Sequence, residues 1–458
     1  MGPSVAKAEQ YRALGLSTFA FTLCFAVWTI FSIIGIRIRQ EFGLSDTQLG
    51  LLMATPILTG AISQLFLGIW TDRYGGRWVF GVLMLATAAC VYLLTFANSY
   101  LMLLVGAIGV GLAGGSFIVG ITYIAAWFGR EHQGAALGSF GSGNVGAAVT
   151  HFGAPFLLVA LGWQGTARVY AAILAIMGVV FIVLARADPL ARERAGKQNR
   201  SLTGQLAPLK ELRVWRFALY YFFVFGAFVA LALWLPHYLI GVYELDIRTA
   251  GMIAAFYTIP ASLFWLLGGW MSDRYGARRV MYWTFIASVV CTFLLSYPPT
   301  EYVVHGIDGD LRFFLQIDLI SFVVLVFILG FFMSLGKAAV FSHIPVYYPN
   351  HVSAVGGAVG MIGGLGGFVL PLSFGVLNDI TGIWQSSFML LFVTVATALA
   401  WMHYAIRSAE RAEWTARETK TDLPELASPY LFYPLNRPSK GLVDSQVENR
   451  GDLYQRQN

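Results

Sequence analysis

The chain is organised as long apolar runs separated by short polar or turn-forming segments. About 20 apolar residues are enough to cross the hydrocarbon core of a bilayer as a helix. Twelve runs of this kind are predicted, at residues 14–36, 47–71, 78–97, 101–127, 134–161, 166–185, 216–241, 249–271, 280–298, 313–346, 352–377 and 384–406. The first run is too long for a signal peptide and has no small-residue cleavage site, so we expect it to remain as the first helix. The pattern therefore predicts an all-α integral membrane protein with twelve transmembrane helices.

The amino-acid composition supports a membrane protein and excludes several kinds of functional site. Apolar residues make up 57% of the chain and charged residues 12%, whereas roughly a quarter of the residues in a soluble domain are charged. Cys24, Cys90 and Cys291 all lie inside apolar runs, without the spacing of disulfides or metal ligands. No catalytic set of side chains has a supporting context, and the net charge of +6 lacks the long basic run of a nucleic-acid binder. We expect no enzymatic activity, cofactor, metal or nucleic-acid partner.

The distribution of positive charge predicts the orientation. Cytoplasmic loops of membrane proteins carry an excess of Lys and Arg. If the N-terminus is cytoplasmic, most Lys and Arg residues lie on the cytoplasmic side. Lys337 then lies within the membrane, and only a few arginines lie on the outer side. The outer cations are Arg37, Arg39, Arg168, Arg248 and Arg312. We therefore expect both termini in the cytoplasm and the protein in the inner membrane of the cell, and we interpret Arg37 and Arg39 as side chains that snorkel to the outer interface.

The polar segments divide the chain into two groups of six helices. Residues 186–215 are rich in charge and are interpreted as a cytoplasmic linker between six-helix bundles at 14–185 and 216–406. Residues 1–13 form a short cytoplasmic segment. Residues 407–458 are polar and contain proline, so we expect a cytoplasmic tail with no domain of its own.

One loop motif occurs twice in the chain. GIWTDRYGGRWV (68–79) recurs as GWMSDRYGARRV (269–280), 201 residues later and after the second span of each bundle. Such a repeat predicts two bundles related by an axis along the membrane normal, with substrate bound between them. A carboxylate at a helix end can accept hydrogen bonds from backbone amides or from arginines. Bonds of this kind in a cytoplasmic loop could act as a gate. The candidate gating residues are Asp72, Arg73, Asp273 and Arg274. The alternative is that these loops are simply basic cytoplasmic turns.

Two further segments are unusually rich in glycine. GAALGSFGSGNVGAAV (134–149) and GGAVGMIGGLGGFVLP (356–371) each open the fifth helix of a bundle. Small residues let two helix backbones approach closely and slide. The candidate hinge positions are Gly141, Gly146, Gly363 and Gly367. Packing alone is the alternative, because glycine is common in membrane helices.

Several motifs together carry a resemblance to a known family. The twelve runs, the central linker and the two Asp-Arg-Tyr-Gly loops are accompanied by AGGSF (113–117), WFGREHQGAALG (127–138), GSGNVG (141–146) and GGAVGMIGGLGGF (356–368). With these features the chain resembles the major facilitator superfamily and, within it, the nitrate/nitrite porter family. The resemblance implies a major facilitator fold and a transporter of nitrate or nitrite.

The resemblance also implies a substrate pocket. In that family the pocket contains an asparagine of the first glycine segment, aromatic residues on helices four and seven, and arginines on helices two and eight. The matching positions outside the arginines are Asn144, Phe117, Tyr221 and Phe225. The arginine positions, eight residues before each loop aspartate, are occupied by Gln64 and Trp265. Neither an amide nor an indole reproduces the bidentate recognition of a planar oxyanion by a guanidinium, so this chain departs from the family pattern.

Lys337 is the remaining cation that the sequence places near the middle of the membrane. Alignment of the two halves puts it opposite Phe117, at the predicted cavity, where it could replace the missing arginines. An intramembrane lysine indicates function because its desolvation is costly. The alternative is a structural lysine that pairs with Asp318 or with carbonyls at a helix end. His151 and His343 could relay protons, or they could simply be hydrogen-bonded packing residues.

We therefore predict a secondary active transporter that moves a small anion by alternating access. Nitrate, nitrite or both are implied by the resemblance, with coupling to a proton or a counter-anion. We expect a monomer whose other partner is membrane lipid. The alternatives are a porter for another small anion or a neutral solute, and a membrane sensor that kept the fold without transporting.

Overall fold

The computed structural model describes residues 7–128, 130–187, 211–307, 309–348 and 352–415. The chain up to the predicted linker consists of helices joined by short turns. Its helices are α1 (Lys7–Trp28), α2 (Phe31–Phe42), α3 (Asp46–Tyr74), α4 (Gly76–Leu94), α5 (Tyr100–Val110), α6 (Ser116–Trp127), α7 (Arg130–Gly141) and α8 (Gly146–Leu184). Two short 3₁₀ turns, Gly111–Gly115 and Ser142–Val145, connect α5 to α6 and α7 to α8.

The second part of the chain is also mainly helical. A π-helical segment, Phe222–Ala227, joins its first two helices, and a two-stranded antiparallel sheet lies between α13 and α14. The elements are α9 (Leu212–Tyr221), α10 (Phe228–Tyr243), α11 (Ile247–Leu263), α12 (Trp265–Tyr275), α13 (Ala277–Leu295), β1 (Thr300–Gly306), β2 (Gly309–Leu315), α14 (Leu319–Tyr347), α15 (Val352–Thr381) and α16 (Ser386–Thr415).

The structure confirms an all-α membrane fold. Within the described residues, nine helices are long and apolar enough to cross a membrane, or ten if the bent pair α11 and α12 counts as one span. This number is smaller than twelve partly because the predicted runs 134–161 and 166–185 fall in one continuous helical stretch, Ala136–Leu184, which includes α8. Gly162, with φ 70° and ψ 179°, interrupts α8 between these runs.

The core lies around the two most enclosed stretches of helix. Every residue from Cys24 to Ile36 is buried, and so is every residue from Phe228 to Leu239. A helix that is apolar on all sides is typical of the interior of a bundle. These two stretches, in α1–α2 and α10, therefore form the centre against which the other helices pack.

The two copies of the repeated loop have the same backbone conformation. Gly75, between α3 and α4, has φ 81° and ψ 147°, and Gly276, between α12 and α13, has φ 86° and ψ 133°. Residues with a Cβ atom rarely adopt a positive φ. The glycine that follows Tyr in both motifs is therefore required by the turn.

The apolar pattern did not predict the β-hairpin. Because β2 ends at Leu315, the predicted run 313–346 starts in a strand and its helix begins only at Leu319. Asp318 caps this helix by accepting a hydrogen bond from the Ser321 backbone N–H at 3.0 Å. Hydrogen bonds from Ser321 hold the pKa of Asp318 below its ordinary value. Asp318 therefore lies at the start of this helix and not inside it, and Lys337 donates instead to the carbonyl oxygen of Ala261 in α11.

The chain divides into two units, with the boundary after His403, inside α16. The second unit is described only as far as Thr415, where α16 ends. The predicted tail beyond this residue lies outside the described part of the chain. Most of the predicted linker also lies outside it, and α9 begins at Leu212, one turn before the expected bundle boundary.

Candidate functional site

Asn144 lies in the 3₁₀ turn between α7 and α8. Its side chain is 2% exposed, and its Nδ2 amide has no hydrogen-bond partner among the described residues. Leaving a buried polar group unpaired costs about 1–3 kcal/mol. A ligand that accepts a hydrogen bond from this amide would offset that cost.

Phe117, on α6, belongs to an aromatic cluster beside this turn. Its ring centroid lies 5.6 Å from that of Phe21 on α1 and 6.0 Å from that of Phe140 on α7. The rings of Phe21 and Phe140 are stacked 4.6 Å apart. A Cβ atom at Gly143 would overlap the Phe21 ring, so the cluster packs directly against the backbone that carries Asn144.

Tyr221 and Phe225 form a second aromatic group. Their rings are stacked with centroids 5.1 Å apart and an interplanar angle of 6°. Phe225 lies in the π-helical segment, a distortion that is frequent at functional sites. A Cβ atom at Gly363 would overlap the Tyr221 ring, and Phe341 of α14 contacts the same ring edge-on at 5.0 Å. The structure therefore brings together Tyr221, Phe225 and Gly363.

Trp265 connects the two aromatic groups. It begins α12, its ring stacks on Phe341 at 6.4 Å, and its indole lies 3.8 Å from the Cβ position of Gly141. Gly141 immediately precedes the turn that contains Asn144. The indole N–H donates to none of the described residues. At one of the two arginine positions, the chain therefore has an indole N–H without a partner among the described residues, in place of a positive charge.

Lys337, on α14, is fully buried and lies beside Trp265. Its Nζ atom donates to the carbonyl oxygen of Ala261 at 2.6 Å and lies 3.6 Å from the ring centroid of Phe228 and 5.8 Å from that of Trp265. Ala261 is in the last turn of α11, where carbonyl groups lack partners within the helix. Cations are favoured at such a helix end and over aromatic rings. Of the structural alternatives for Lys337, capping of a helix end is the one observed.

Gln64, at the other arginine position, lies on α3 and is half-buried. Its Nε2 atom donates to the carbonyl oxygen of Gly114 at 3.3 Å. This bond ties the amide to the 3₁₀ turn before α6, the helix that carries Phe117. Gln64 is therefore held near the Phe117 cluster, without a positive charge.

Two of the predicted hinge glycines lie where helices meet closely. A Cβ atom at Gly146 would overlap the carbonyl oxygen of Thr22 on α1. A Cβ atom at Gly367 would come within 3.0 Å of Ile57 on α3 and 3.1 Å of Val229 on α10. Close packing is thus observed at both positions, and sliding of the helices stays a prediction.

The loop residues are positioned at the surface. The Arg73 guanidinium lies 5.3 Å from the ring centroid of Tyr74, and that of Arg274 lies 5.4 Å from the ring centroid of Trp270. Asp273 is exposed. The side chain of Asp72 lies outside the described part of the chain, so the gating role of these loops also stays a prediction.

Sequence analysis missed a polar cluster centred on Asp46, at the start of α3. Its Oδ1 atom forms an ion pair with Arg39 Nη2 at 2.9 Å and accepts a hydrogen bond from His237 Nε2 at 2.9 Å, and its Oδ2 atom accepts a hydrogen bond from Asn378. Asp379 accepts from the backbone N–H of Asp46 at 3.1 Å. Arg39 therefore does more than snorkel, because it helps to hold a carboxylate that joins α3 to α10 and α15. We name this group the Asp46 cluster.

The two candidate histidines have different environments. His151 Nε2 donates to the carbonyl oxygen of Ala232 at 2.7 Å, and its Nδ1 lies 3.3 Å from Thr258 Oγ1. His151 thus joins α8 to α10 and α11. His343 Nδ1 donates to the carbonyl oxygen of Ala339, one turn earlier on its own helix.

Comparison with known families decides the class of protein. A sequence model of the Major Facilitator Superfamily matches residues 16–254 and 243–438. The chain belongs to this superfamily. It is therefore an integral membrane transporter and not an enzyme.

Similar proteins support the narrower resemblance. The probable nitrate/nitrite antiporter NarK1 of Thermus thermophilus is 44% identical over 91% of this chain and 96% of its own length. The nitrite extrusion protein of Bacillus subtilis is 27% identical over 88% of this chain and 98% of its own. The probable nitrate transporter NarT of Staphylococcus carnosus is 30% identical over 86% of this chain and 96% of its own. The resemblance to the nitrate/nitrite porters is thus confirmed.

Solved structures agree on the fold. A bacterial homologue of the human lysosomal transporter Spinster, in an inward-facing and occupied conformation, has a TM-score of 0.68 at 16% identity and covers 93% of this chain and 100% of its own. A mutant of the nucleoside transporter NupG has a TM-score of 0.64 at 15% identity and covers 86% of this chain and 99% of its own.

Proposed function

We propose that this chain is a secondary active transporter that exchanges nitrate and nitrite across the inner membrane by alternating access. The names of its relatives support this substrate class, since they are described as a probable nitrate/nitrite antiporter, a nitrite extrusion protein and a probable nitrate transporter. The observation that carries the proposal is the unpaired, buried amide of Asn144 beside an aromatic wall. An oxyanion is a strong acceptor for such a donor.

The departure at the two arginine positions changes how the anion is neutralised. An anion that leaves water needs a compensating cation or several hydrogen-bond donors. Lys337 is the one fully buried Lys or Arg among the described residues, and the ring of Trp265 lies near both its Nζ atom and Gly141, next to the turn that carries Asn144. We therefore propose that Lys337 supplies the compensating positive charge and that Asn144 and Trp265 donate hydrogen bonds to the anion. Phe117 and Phe225 form the apolar walls of the site.

The proposed transport cycle rests on contacts between α1–α8 and α9–α16. The Asp46 cluster and the bonds of His151 join these two parts. The distribution of charge predicts that both termini are cytoplasmic, and in that orientation the Asp46 cluster lies at the outer end, because α3 begins there. We therefore assign this conformation to a state closed toward the outside, and transport requires these bonds to break.

A second candidate function is transport of another small anion or a neutral solute. The observation that favours it is the replacement of both family arginines by Gln64 and Trp265, which removes two rigid guanidinium groups. A single ammonium selects anions less sharply by shape than two planar guanidinium groups would. A sensor without transport would retain binding and show no exchange.

Counterflow in proteoliposomes tests the proposal. Vesicles loaded with nitrite should take up labelled nitrate faster than empty vesicles. A pH gradient is then applied across empty vesicles, because uptake driven by this gradient would indicate coupling to protons instead of exchange of anions. Asn144→Ala should lower the exchange rate by about tenfold or more, because about 1.4 kcal/mol corresponds to a factor of ten and a hydrogen bond to an ion contributes at least that much. Asn98→Ala is the matched control, because Asn98 is exposed before α5.

The outcomes separate the candidate functions. Exchange that requires internal nitrite supports the antiporter. Uptake of another anion or of a neutral solute, with no response to nitrate or nitrite, would overturn the proposal. Equal loss in both asparagine variants would contradict the role of Asn144.

A further inference from the structure

The β-hairpin between α13 and α14 has two chemically different faces. β1 and β2 pair antiparallel, with Tyr302 opposite Phe313 and Val304 opposite Leu311. Side chains alternate between the two faces of a strand, and directly paired residues share a face. One face carries mainly apolar residues: Thr300, Tyr302, Val304, Leu311, Phe313 and Leu315. The other face carries Glu301, Val303, His305, Asp310, Arg312 and Phe314.

The apolar face is not covered by the described part of the protein. Leu311 is 65% exposed, Phe313 is 50% exposed and Leu315 is 48% exposed. Contiguous exposed apolar surface marks a site that contacts a protein or a membrane. The apolar face of the hairpin is therefore expected to contact either another protein or the membrane.

The base of the hairpin is attached to the ends of two membrane helices. Tyr297, two residues after α13, stacks on Tyr302 at 6.5 Å, and Tyr302 stacks on Phe313 at 5.2 Å. At the other strand, the carbonyl oxygen of Ile317 accepts a hydrogen bond from Tyr243 at 3.0 Å. An aromatic line thus runs from the end of a span onto the apolar face.

The neighbouring helix ends expose large apolar side chains. Phe293 in the last turn of α13 is 58% exposed, and Ile320 in the first turn of α14 is 76% exposed. These residues lie in helices that are long and apolar enough to span a membrane. The apolar face of the hairpin therefore continues, through Tyr297, the surface that the bilayer covers.

We propose that this hairpin lies on the membrane surface, with its apolar face inserted among the lipid headgroups of the adjacent leaflet. Tyr302 and Phe313 are suited to this boundary, because aromatic side chains are enriched where headgroups meet hydrocarbon. The opposite face turns Glu301, His305 and Asp310 toward water. Seven residues at about 3.3 Å each give strands roughly 23 Å long, so the hairpin forms an interfacial anchor beside α13 and α14. This inference does not depend on the transported substrate.

Spin-label accessibility tests the inference on the full chain. In a background where Cys24, Cys90 and Cys291 are replaced by alanine, Leu311→Cys places a nitroxide on the apolar face. Arg312→Cys is the matched control, because it is the next residue and lies on the opposite face. The protein is reconstituted in nanodiscs of phosphatidylcholine and phosphatidylglycerol, and collisions with oxygen and with a water-soluble nickel chelate are measured.

The expected result is a contrast between adjacent positions. The label at 311 should collide more with oxygen and less with the nickel chelate than the label at 312, and Phe313→Cys should repeat the result of 311. If the labels at 311 and 312 collide equally often with the nickel chelate, both faces of the hairpin are in water and the proposal is overturned. If the label at 311 is shielded from both reagents and shows dipolar broadening, a second copy of the chain covers the face, which also overturns it.

Discussion

Replacement of Lys337 by glutamine tests whether a buried ammonium neutralises the transported anion. Lys337 donates to the Ala261 carbonyl at 2.6 Å, at the end of α11. Glutamine retains N–H donors for a carbonyl but carries no charge. The substitution therefore separates the electrostatic role of Lys337 from its role as a cap of the helix end, and the fold should be retained.

The geometry sets the size of the expected effect. Nζ lies 5.8 Å from the ring centroid of Trp265. An anion in contact with the far side of this ring would lie about 9 Å from Nζ, where the attraction is about 2 kcal/mol at an effective dielectric constant of ~20, or roughly 20-fold in affinity. An anion in direct contact, at about 4 Å, would gain about 4 kcal/mol, or roughly 1000-fold. The measured loss therefore also reports the distance of the anion from Lys337.

The assay is titration of nitrate into purified protein by calorimetry, with thermal unfolding as the control for folding. Lys337→Gln should weaken nitrate binding by between about 20-fold and about 1000-fold, whereas Lys337→Arg, which keeps the charge, should retain affinity within about tenfold. If folded Lys337→Gln binds nitrate within about threefold of the wild type, the anion does not experience this charge. Lys337 would then serve only as the cap of α11.

Four further outcomes are expected. Gln64→Arg combined with Trp265→Arg should strengthen nitrate binding, measured by the same titration. Asp72→Asn should slow counterflow more than it changes nitrate affinity, and unchanged turnover would contradict a gating role. Asp46→Asn removes the charge that His237 and Arg39 contact, so cysteine labels near α3 should become more accessible from the outer side; unchanged labelling would contradict our assignment of that gate. Gly363→Ala overlaps the Tyr221 ring and should destabilise the protein by about 1–3 kcal/mol, seen as a lower unfolding temperature.

The helices and the class of protein could be predicted from the sequence. A run of apolar residues specifies a membrane helix by itself, because the bilayer requires each spanning segment to satisfy its own backbone hydrogen bonds. The glycine of each Asp-Arg-Tyr-Gly loop could also be predicted, because the positive φ at Gly75 and Gly276 is a local requirement. These features depend on neighbouring residues alone.

The sequence could place Asn144, Tyr221, Phe225 and Trp265 in one pocket only through resemblance to a family. Periodicity states which residues share a face, but it does not state which helices meet. The contact of Trp265 with the Gly141 backbone depends on how α7 and α12 pack, and only the tertiary structure shows it. The same packing decides that Lys337 reaches the end of α11 and not Asp318.

The Asp46 cluster and the β-hairpin could be identified only from the tertiary structure. Asp46 and Asn378 are 332 positions apart, and the carboxylate is buried only because α3, α10 and α15 meet at one point. In the hairpin, Phe313 and Leu315 have the apolar character of the helix that follows, so hydrophobicity assigned them to the span. Strand pairing with residues 300–306 and the cap at Asp318 set the true boundary, because both supply hydrogen bonds that composition does not record.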